Sequence, residues 1–110
     1  MKQKYRNKKT NGYDSKKESR RAAELKLLQR AGEIFNLQEQ VKFELVPSQY
    51  EIVNGKRVCV ERSVSYYADF QYNDKEGNTV IEDTKGFRTN DYIIKRKLLL
   101  YMYGIKIKEL

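Results

Sequence analysis

The chain has 110 residues, of which 35% are charged, with a formal net charge of +8 and no histidine. This length is enough for one domain with one modest hydrophobic core. The lack of histidine excludes His-ligated zinc sites and every catalytic site that uses a histidine base, so any metal or acid–base chemistry must use carboxylates, Lys, Tyr, backbone groups and water.

The single cysteine, Cys59, cannot form an internal disulfide, which favours an intracellular, cytoplasmic chain. Cys59 lies in a strand-like run and is predicted to be a small core residue. The sequence has no apolar run long enough to span a membrane and no signal-peptide hydrophobic region, so no membrane partner is expected.

The positive charge is concentrated at the start of the chain. Ten basic and three acidic residues between Met1 and Lys26 carry +7 of the total charge. Residues 1–11 have no hydrophobic periodicity, so we predict a flexible basic arm followed by a single domain over residues 12–110. A basic arm on a nearly neutral body indicates a polyanionic partner, most simply nucleic acid, although a solubilising tail has the same composition.

The first helix is predicted from about Ser15 to Arg30. Ser15-Lys16-Lys17-Glu18 matches the capping box, and Gly32 is a natural stop. Glu18 lies on the same face as the apolar stripe, so it is a capping residue, a catalytic carboxylate, or both. The predicted stripe comprises Ala22, Leu25 and Leu28.

In the middle of the chain, the residue pattern predicts strands. Residues 33–40 read as a polar connection anchored by Ile34 and Leu37, and the strict alternation of residues 41–45 predicts a half-buried strand. Asn54-Gly55 between two short extended runs predicts a tight hairpin. Residues 64–72 read as an aromatic-rich strand, and a turn over residues 73–78 leads to a short strand ending in Val80-Ile81-Glu82-Asp83-Thr84-Lys85.

The end of the chain predicts a helix and a last strand. The helix spans Asp91 to Tyr103, is capped by Thr89 or Asn90 and stops at Gly104. Residues 105–108 alternate as an edge strand. The resulting order is α-β-β-β-α-β with an added hairpin, which predicts an α/β fold with helices packed on a mixed sheet. The predicted stripe of the second helix, expected to be well buried, comprises Ile94, Leu98, Tyr101 and Met102.

Four residues form a candidate site for phosphodiester chemistry: Glu18, Asp69, Asp83 and Lys85. Asp83 and Lys85 are two apart on a strand and share one face, and the turn brings Asp69 close to Asp83. Their carboxylates, with the backbone carbonyl of Thr84, are the oxygen ligands that Mg²⁺ prefers, with Mn²⁺ able to substitute. Lys85 can orient or help deprotonate the attacking water and neutralise charge on the phosphate.

The order of these residues resembles the PD-(D/E)XK nucleases, which have the restriction-endonuclease-like fold. More narrowly, the chain resembles a small phage-encoded family of that superfamily, largely of unknown function. The motifs that carry the resemblance are Asp14-Ser15-Lys16-Lys17-Glu18, Gln40-Val41-Lys42-Phe43-Glu44-Leu45, Tyr67-Ala68-Asp69-Phe70, Glu82-Asp83-Thr84-Lys85-Gly86 and Lys95-Arg96-Lys97.

The resemblance implies a restriction-endonuclease-like αβββαβ core with metal ligands Asp69 and Asp83 and catalytic Lys85. It also implies an acidic Glu18 on the first helix and a polar Gln40 near the site. The sequence departs from the pattern where Ala68 replaces the proline and Asp83 replaces the more usual Glu. Glu82 competes with Asp83 as the ligand, but the residue two positions after Glu82 is Thr84 and not lysine.

The activity implied by the resemblance is Mg²⁺-dependent DNA endonuclease activity on branched or structured DNA, as in Holliday-junction resolvases. It implies DNA as partner, a homodimer, a phage or prophage origin and no small-molecule cofactor. Two other hypotheses stay open: a non-catalytic nucleic-acid-binding protein of the same fold, and an adaptor whose basic arm docks an acidic partner. The expected DNA-binding residues are Lys8, Lys9, Lys16, Lys17, Arg20, Arg21, Arg88, Lys95 and Lys97.

Overall fold

The structure is a computed structural model that describes Gly12, residues 15–84 and residues 88–110. The predicted basic arm, with Lys8 and Lys9, and the predicted catalytic Lys85 lie outside the described residues. Within them the elements are α1 (Lys16–Arg30), β1 (Phe35–Val46), β2 (Gln49–Val53), β3 (Lys56–Glu61), β4 (Val64–Asn73), β5 (Thr79–Asp83), α2 (Asn90–Tyr103) and β6 (Lys108–Glu109).

The main sheet has four strands in the order β1-β4-β5-β6. The β1–β4 and β4–β5 pairs are antiparallel, whereas β6 runs parallel to β5. The parallel pair is joined through α2, as a parallel connection requires. The predicted α/β fold with an αβββαβ order and a mixed sheet is therefore confirmed, and β2 and β3 form the added hairpin as a separate two-stranded sheet.

Helix α1 begins and ends as its sequence predicts. The Ser15 side chain accepts a hydrogen bond from the Glu18 N–H at 3.0 Å, and Gly32 follows the C-cap with a positive φ of 79°. The buried residues of this helix are Glu18, Ala22 and Leu25. Leu28 is 37% exposed, so its predicted burial is wrong, because the last turn of the helix extends past the residues that pack on the core.

Strand β1 is longer than predicted. Residues 35–40, expected to be a polar connection, already pair with β4, from Phe35 opposite Asn73 to Glu39 opposite Phe70. The backbone has positive φ at Asn36 (58°) and Gln40 (53°), and the register shifts between Phe35 and Gln38. These irregularities break the alternation that identifies a strand in the sequence.

Two other expectations are corrected at the hairpin and the last strand. Cys59 is exposed on β3 and is not a core residue, because both strands of the hairpin are exposed along their whole length. The last strand comprises Lys108 and Glu109, not residues 105–108. Ile107 is buried in the core and Ile105 packs beside it, so their alternation reflects core packing and not a longer ladder.

Helix α2 has the predicted ends but a different buried face. Thr89 caps it, accepting from the Tyr92 N–H, and Gly104 ends it with φ 68°. The buried residues are Tyr92 and Leu99, whereas Ile94 and Tyr101 of the predicted stripe are 57% and 88% exposed. No helix in the described part of the chain is long and apolar enough to cross a membrane.

The core consists of two clusters of buried side chains. One lies between α1 and the sheet and contains Ala22, Leu25, Ile34, Phe70 and Tyr72. The other lies between α2 and the sheet and contains Leu45, Tyr66, Ala68, Ile81, Tyr92, Leu99 and Ile107.

We expect Leu25→Ala to lower the free energy of unfolding by about 2–5 kcal/mol, because Leu25 is fully buried and its loss leaves a cavity. Leu27→Ala is the matched control, since Leu27 lies on the same helix and is 59% exposed; its effect should stay below about 0.5 kcal/mol. Urea unfolding monitored by circular dichroism measures both. Equal losses for the two variants would contradict this placement of α1.

Candidate active site

Gln40 joins two of the predicted site residues. Its side-chain Nε2 donates to Glu18 Oε2 at 3.1 Å and to Asp69 Oδ1 at 3.3 Å. Carboxylates from α1 and β4 therefore converge on one amide nitrogen supplied by β1. The positive φ of Gln40, 53°, occurs at the position from which its side chain reaches both of them.

Asp69 also binds the residue that follows β5. Its Oδ2 accepts from the Thr84 backbone N–H at 2.9 Å and from the Thr84 hydroxyl at 2.8 Å. Both contacts lie next to the end of the β4–β5 ladder, where Phe70 pairs with Glu82. Asp69 therefore lies beside the residue that follows Asp83, and the predicted approach of Asp69 to Asp83 itself stays a prediction.

The Asp83 side chain is fully buried at this strand end. It accepts a short hydrogen bond from the Tyr66 hydroxyl. Burial, the bond to Asp83 and the nearby charges of Asp83 and Asp69 all raise the pKa of Tyr66. Tyr66 therefore stays protonated at neutral pH and remains a donor to Asp83.

Glu82, next along β5, is fully buried and points to α1. Arg21 donates to both of its carboxylate oxygens, from Nε to Oε1 at 2.8 Å and from Nη2 to Oε2 at 2.7 Å, and Tyr72 donates a third, short bond. Burial alone would raise the pKa of Glu82, but the hydrogen bonds from Arg21 and Tyr72 outweigh it and lower that pKa. Burial and the bond to Glu82 raise the pKa of Tyr72 to about 12.

A pocket of about 280 Å³ adjoins this strand end. Its cationic residues all come from one face of α1, and it includes Thr84, which binds Asp69. Arg21 in this pocket is held by Glu82 and, at 3.0 Å, by Glu24, so its predicted role toward DNA competes with two carboxylates. The lining residues are Lys17, Arg20, Arg21, Glu24, Thr84 and Leu110.

The other predicted DNA-binding residues that the structure describes do not line this pocket. Lys16 is exposed at the start of α1, and Lys95 and Lys97 lie on α2. Arg88 donates two hydrogen bonds to Glu109, at 3.1 and 2.9 Å, and Arg96 donates one at 3.1 Å. These bonds, with that of Tyr92, hold the pKa of Glu109 at about 2, so Arg88 is part of an ion-pair cluster on β6.

The oxygen donors at this strand end are of the chemical type that a small divalent cation binds. Asp69, Asp83 and the Thr84 carbonyl are hard ligands at one strand end, and Mg²⁺ takes few protein ligands and keeps several waters. In the described residues no group of three or more Asp, Glu or Cys side chains is arranged as a metal site. Any such ion would therefore be held by a sparse set of ligands with Glu18 at its margin.

Sequence reasoning missed the partners that fix these carboxylates. The sequence presents Glu82 only as a competitor of Asp83. Its ion pair with Arg21 is signalled by the three-residue spacing of Glu18 and Arg21 on α1, which places Arg21 beside the buried face. The bond between Tyr66 and Asp83 has no comparable signal, because it joins residues on separate strands.

Comparison with known proteins identifies one family. A family model described as "Protein of unknown function (DUF1064)" matches residues 2–109 of the chain. No curated protein and no solved structure matches the chain.

We expect Glu82→Gln to lower the free energy of unfolding at pH 7 by about 3 kcal/mol, because it leaves Arg21 without its buried counter-charge. Since the pKa of Glu82 is lowered in the folded state, its stabilisation is present above the unfolded pKa of about 4.3 and is lost as pH falls. The difference between wild type and variant should therefore shrink below about pH 4. Urea titrations at several pH values measure it.

Glu24→Gln is the control for this prediction. Glu24 also binds Arg21, but its side chain is 55% exposed, so the variant should lose less than about 1 kcal/mol. A pH-independent difference between wild type and Glu82→Gln would show that the loss comes from packing and not from the charge.

Proposed function

The chain belongs to the DUF1064 family, and we propose that it is a Mg²⁺-dependent DNA endonuclease that hydrolyses phosphodiester bonds, on branched or structured DNA. The observation that carries the proposal is the Gln40 bridge between Glu18 and Asp69, with Asp69 bound in turn to Thr84 at the end of β5. Acidic groups far apart in sequence are thus gathered at one strand end, beside a cationic pocket.

In this proposal the residues of the chain have separate roles. Asp69 and Asp83 hold the ion with the Thr84 carbonyl, and Gln40 positions Asp69 and Glu18 through its amide. When bound, Mg²⁺ polarises a phosphoryl oxygen and acidifies water. Lys85, two residues after Asp83, orients the attacking water and neutralises charge that develops on the phosphate. Glu82 has no part in the chemistry, because the guanidinium of Arg21 already neutralises its carboxylate.

The cations of α1 supply the DNA contacts of this proposal. Lys17 and Arg20 are exposed at the rim of the pocket that contains Thr84. Lys and Arg side chains bind phosphate oxygens and carry no base-specific information in such contacts. Recognition would therefore depend on DNA shape and backbone charge, which fits branched DNA better than a defined base sequence.

A non-catalytic nucleic-acid-binding protein is the second candidate. It is favoured by the hydrogen bonds that already engage Asp69, to Gln40 and Thr84, which read equally well as structural contacts. Under this hypothesis the pocket cations still bind DNA, but no metal binds and no bond is cut.

We expect Asp69→Asn and Lys85→Ala each to lower the cleavage rate by at least about a hundredfold, because each removes charge from the reacting centre. The substrates are supercoiled plasmid and a synthetic four-way junction, each with Mg²⁺, Mn²⁺ or EDTA. Asn keeps the shape of Asp69 and an oxygen that can accept from Thr84, so the fold should survive. Glu76→Gln is the matched control, because it removes an exposed carboxylate from the β4–β5 turn and should cut like wild type.

A thermal-denaturation series with MgCl₂ separates the two candidates. An ion that binds the native state stabilises it by about 2.7 kcal/mol at one hundred times its dissociation constant, and this gain should vanish in Asp69→Asn. Undiminished metal-dependent cutting by purified Asp69→Asn would contradict the nuclease proposal. DNA binding by wild type without cutting or metal stabilisation would establish the second candidate.

We expect Arg20→Ala to weaken binding to all DNA sequences alike and to reduce the slope of log K against log salt by about one, because it removes one phosphate contact. Lys75→Ala is the control: Lys75 lies on the β4–β5 turn, paired with Glu33 at 3.2 Å. Fluorescence anisotropy with a labelled four-way junction at several salt concentrations measures both. An equal effect of the two variants would mean that net charge, and not the α1 pocket, governs binding.

A further inference from the structure

Both strands of the β2–β3 hairpin are exposed along their whole length among the residues that the structure describes. Every residue from 49 to 62 is exposed, including Ile52 at 71%. The radius of gyration is 17.4 Å, whereas a compact chain of this length would have about 13 Å. An isolated two-stranded hairpin is at best marginally stable in water, so one with this many exposed apolar residues calls for a partner.

The two faces of the hairpin differ in how far they are covered by their own side chains. Pairing of Tyr50 with Cys59 and of Ile52 with Arg57 places these four on one face, where the Arg57 guanidinium lies 3.7 Å from the centre of the Tyr50 ring. Pairing of Glu51 with Val58 and of Val53 with Lys56 defines the other face. Gln49 and its partner Glu61 lie on this same face, and Val60 falls at the register shift between these pairs and has no partner in the ladder. We call this second surface the valine face.

The valine face combines apolar and charged groups. Val53 and Val58 are 46% and 41% exposed, and they share the face with two acidic residues, Glu51 and Glu61, and one basic residue, Lys56. An apolar centre with both signs of charge at its margin is typical of protein interfaces. A surface that carries both members of an ion pair is also complementary to itself.

The charge of the hairpin argues against a nucleic acid as its partner. Between Gln49 and Glu61 two acidic residues, Glu51 and Glu61, balance two basic residues, Lys56 and Arg57. The chain as a whole carries +8, so its excess positive charge lies elsewhere. A surface that binds DNA needs an excess of Lys and Arg, which this hairpin lacks.

We propose that the valine face is a homodimer interface, occupied by the same face of a second copy of this chain. The valines of the two copies pack together, and Glu51 of each copy pairs with Lys56 of the other. This gives the closed two-fold arrangement that is commonest among homo-oligomers. The surface is small, so the dimer should be in exchange with monomer at micromolar concentration. The proposal is independent of the nuclease proposal, since no site residue lies on the hairpin.

Sedimentation equilibrium of the full chain, from low micromolar concentration upward, tests the interface. Wild type should rise from the monomer mass of 13.1 kDa toward twice that value. Val58→Asp should raise the dimer dissociation constant at least about a hundredfold, because it places a charge in the apolar centre. Ile52→Asp is the matched control: it adds the same charge to the opposite face of the same strand pair and should dimerise like wild type.

A charge exchange makes the test specific to the pairing. Glu51→Lys and Lys56→Glu should each weaken the dimer, and the double variant Glu51→Lys/Lys56→Glu should restore it. Wild type that stays monomeric at every concentration would overturn the proposal, as would equal effects of Val58→Asp and Ile52→Asp. Loss of four-way-junction binding in Val58→Asp with no change in mass would instead identify the hairpin as a DNA contact and also overturn it.

Discussion

Two consecutive buried carboxylates at the end of β5 constrain the rest of the structure. Glu82 and Asp83 are both fully buried, and an unpaired charge in such a place costs several kcal/mol. Alternation along the strand sends the two side chains in different directions, so each needs its own partners. Glu82 accepts hydrogen bonds from Arg21 of α1 and Tyr72 of β4, whereas Asp83 accepts one from Tyr66 of β4. The position of α1 on the sheet therefore depends on an ion pair as much as on apolar packing.

This ion pair also accounts for the geometry of the candidate site. Glu18 precedes Arg21 by three residues, so both lie on nearly the same side of α1. When Arg21 reaches Glu82, Glu18 is turned toward the sheet, where Gln40 binds it at 3.1 Å and links it to Asp69. The Glu18 N–H donates to the Ser15 cap, and the buried Glu18 carboxylate accepts from Gln40. The predicted capping-box contact of Glu18 would use that same carboxylate, so it stays a prediction beside the site role.

Local signals in the sequence predicted the local features correctly. The Ser15 cap and the Asn54-Gly55 hairpin depend on residues close in sequence or joined by a short turn. The first half of β1 could not be found in this way, because its strand character comes from pairing with β4, about thirty residues later, and its bulges hide the alternation. The buried face of α2 could not be predicted either, because the helix has apolar side chains on several sides and its hydrophobic periodicity is ambiguous. Tyr92 and Leu99 are the buried positions because they pack against side chains of the sheet.

Composition alone overstates the positive charge available to a polyanion. Arg21 is bound to Glu82, and Arg88 and Arg96 are bound to Glu109, so part of the charge expected to face DNA holds the fold together. What remains near the candidate site is the outer face of α1, where Lys17 and Arg20 line the pocket. The same pocket includes Thr84, which binds Asp69, so these cations lie at the end of the molecule where the acidic groups converge. A polyanion attracted by the outer face of α1 would therefore meet the carboxylates of the candidate site.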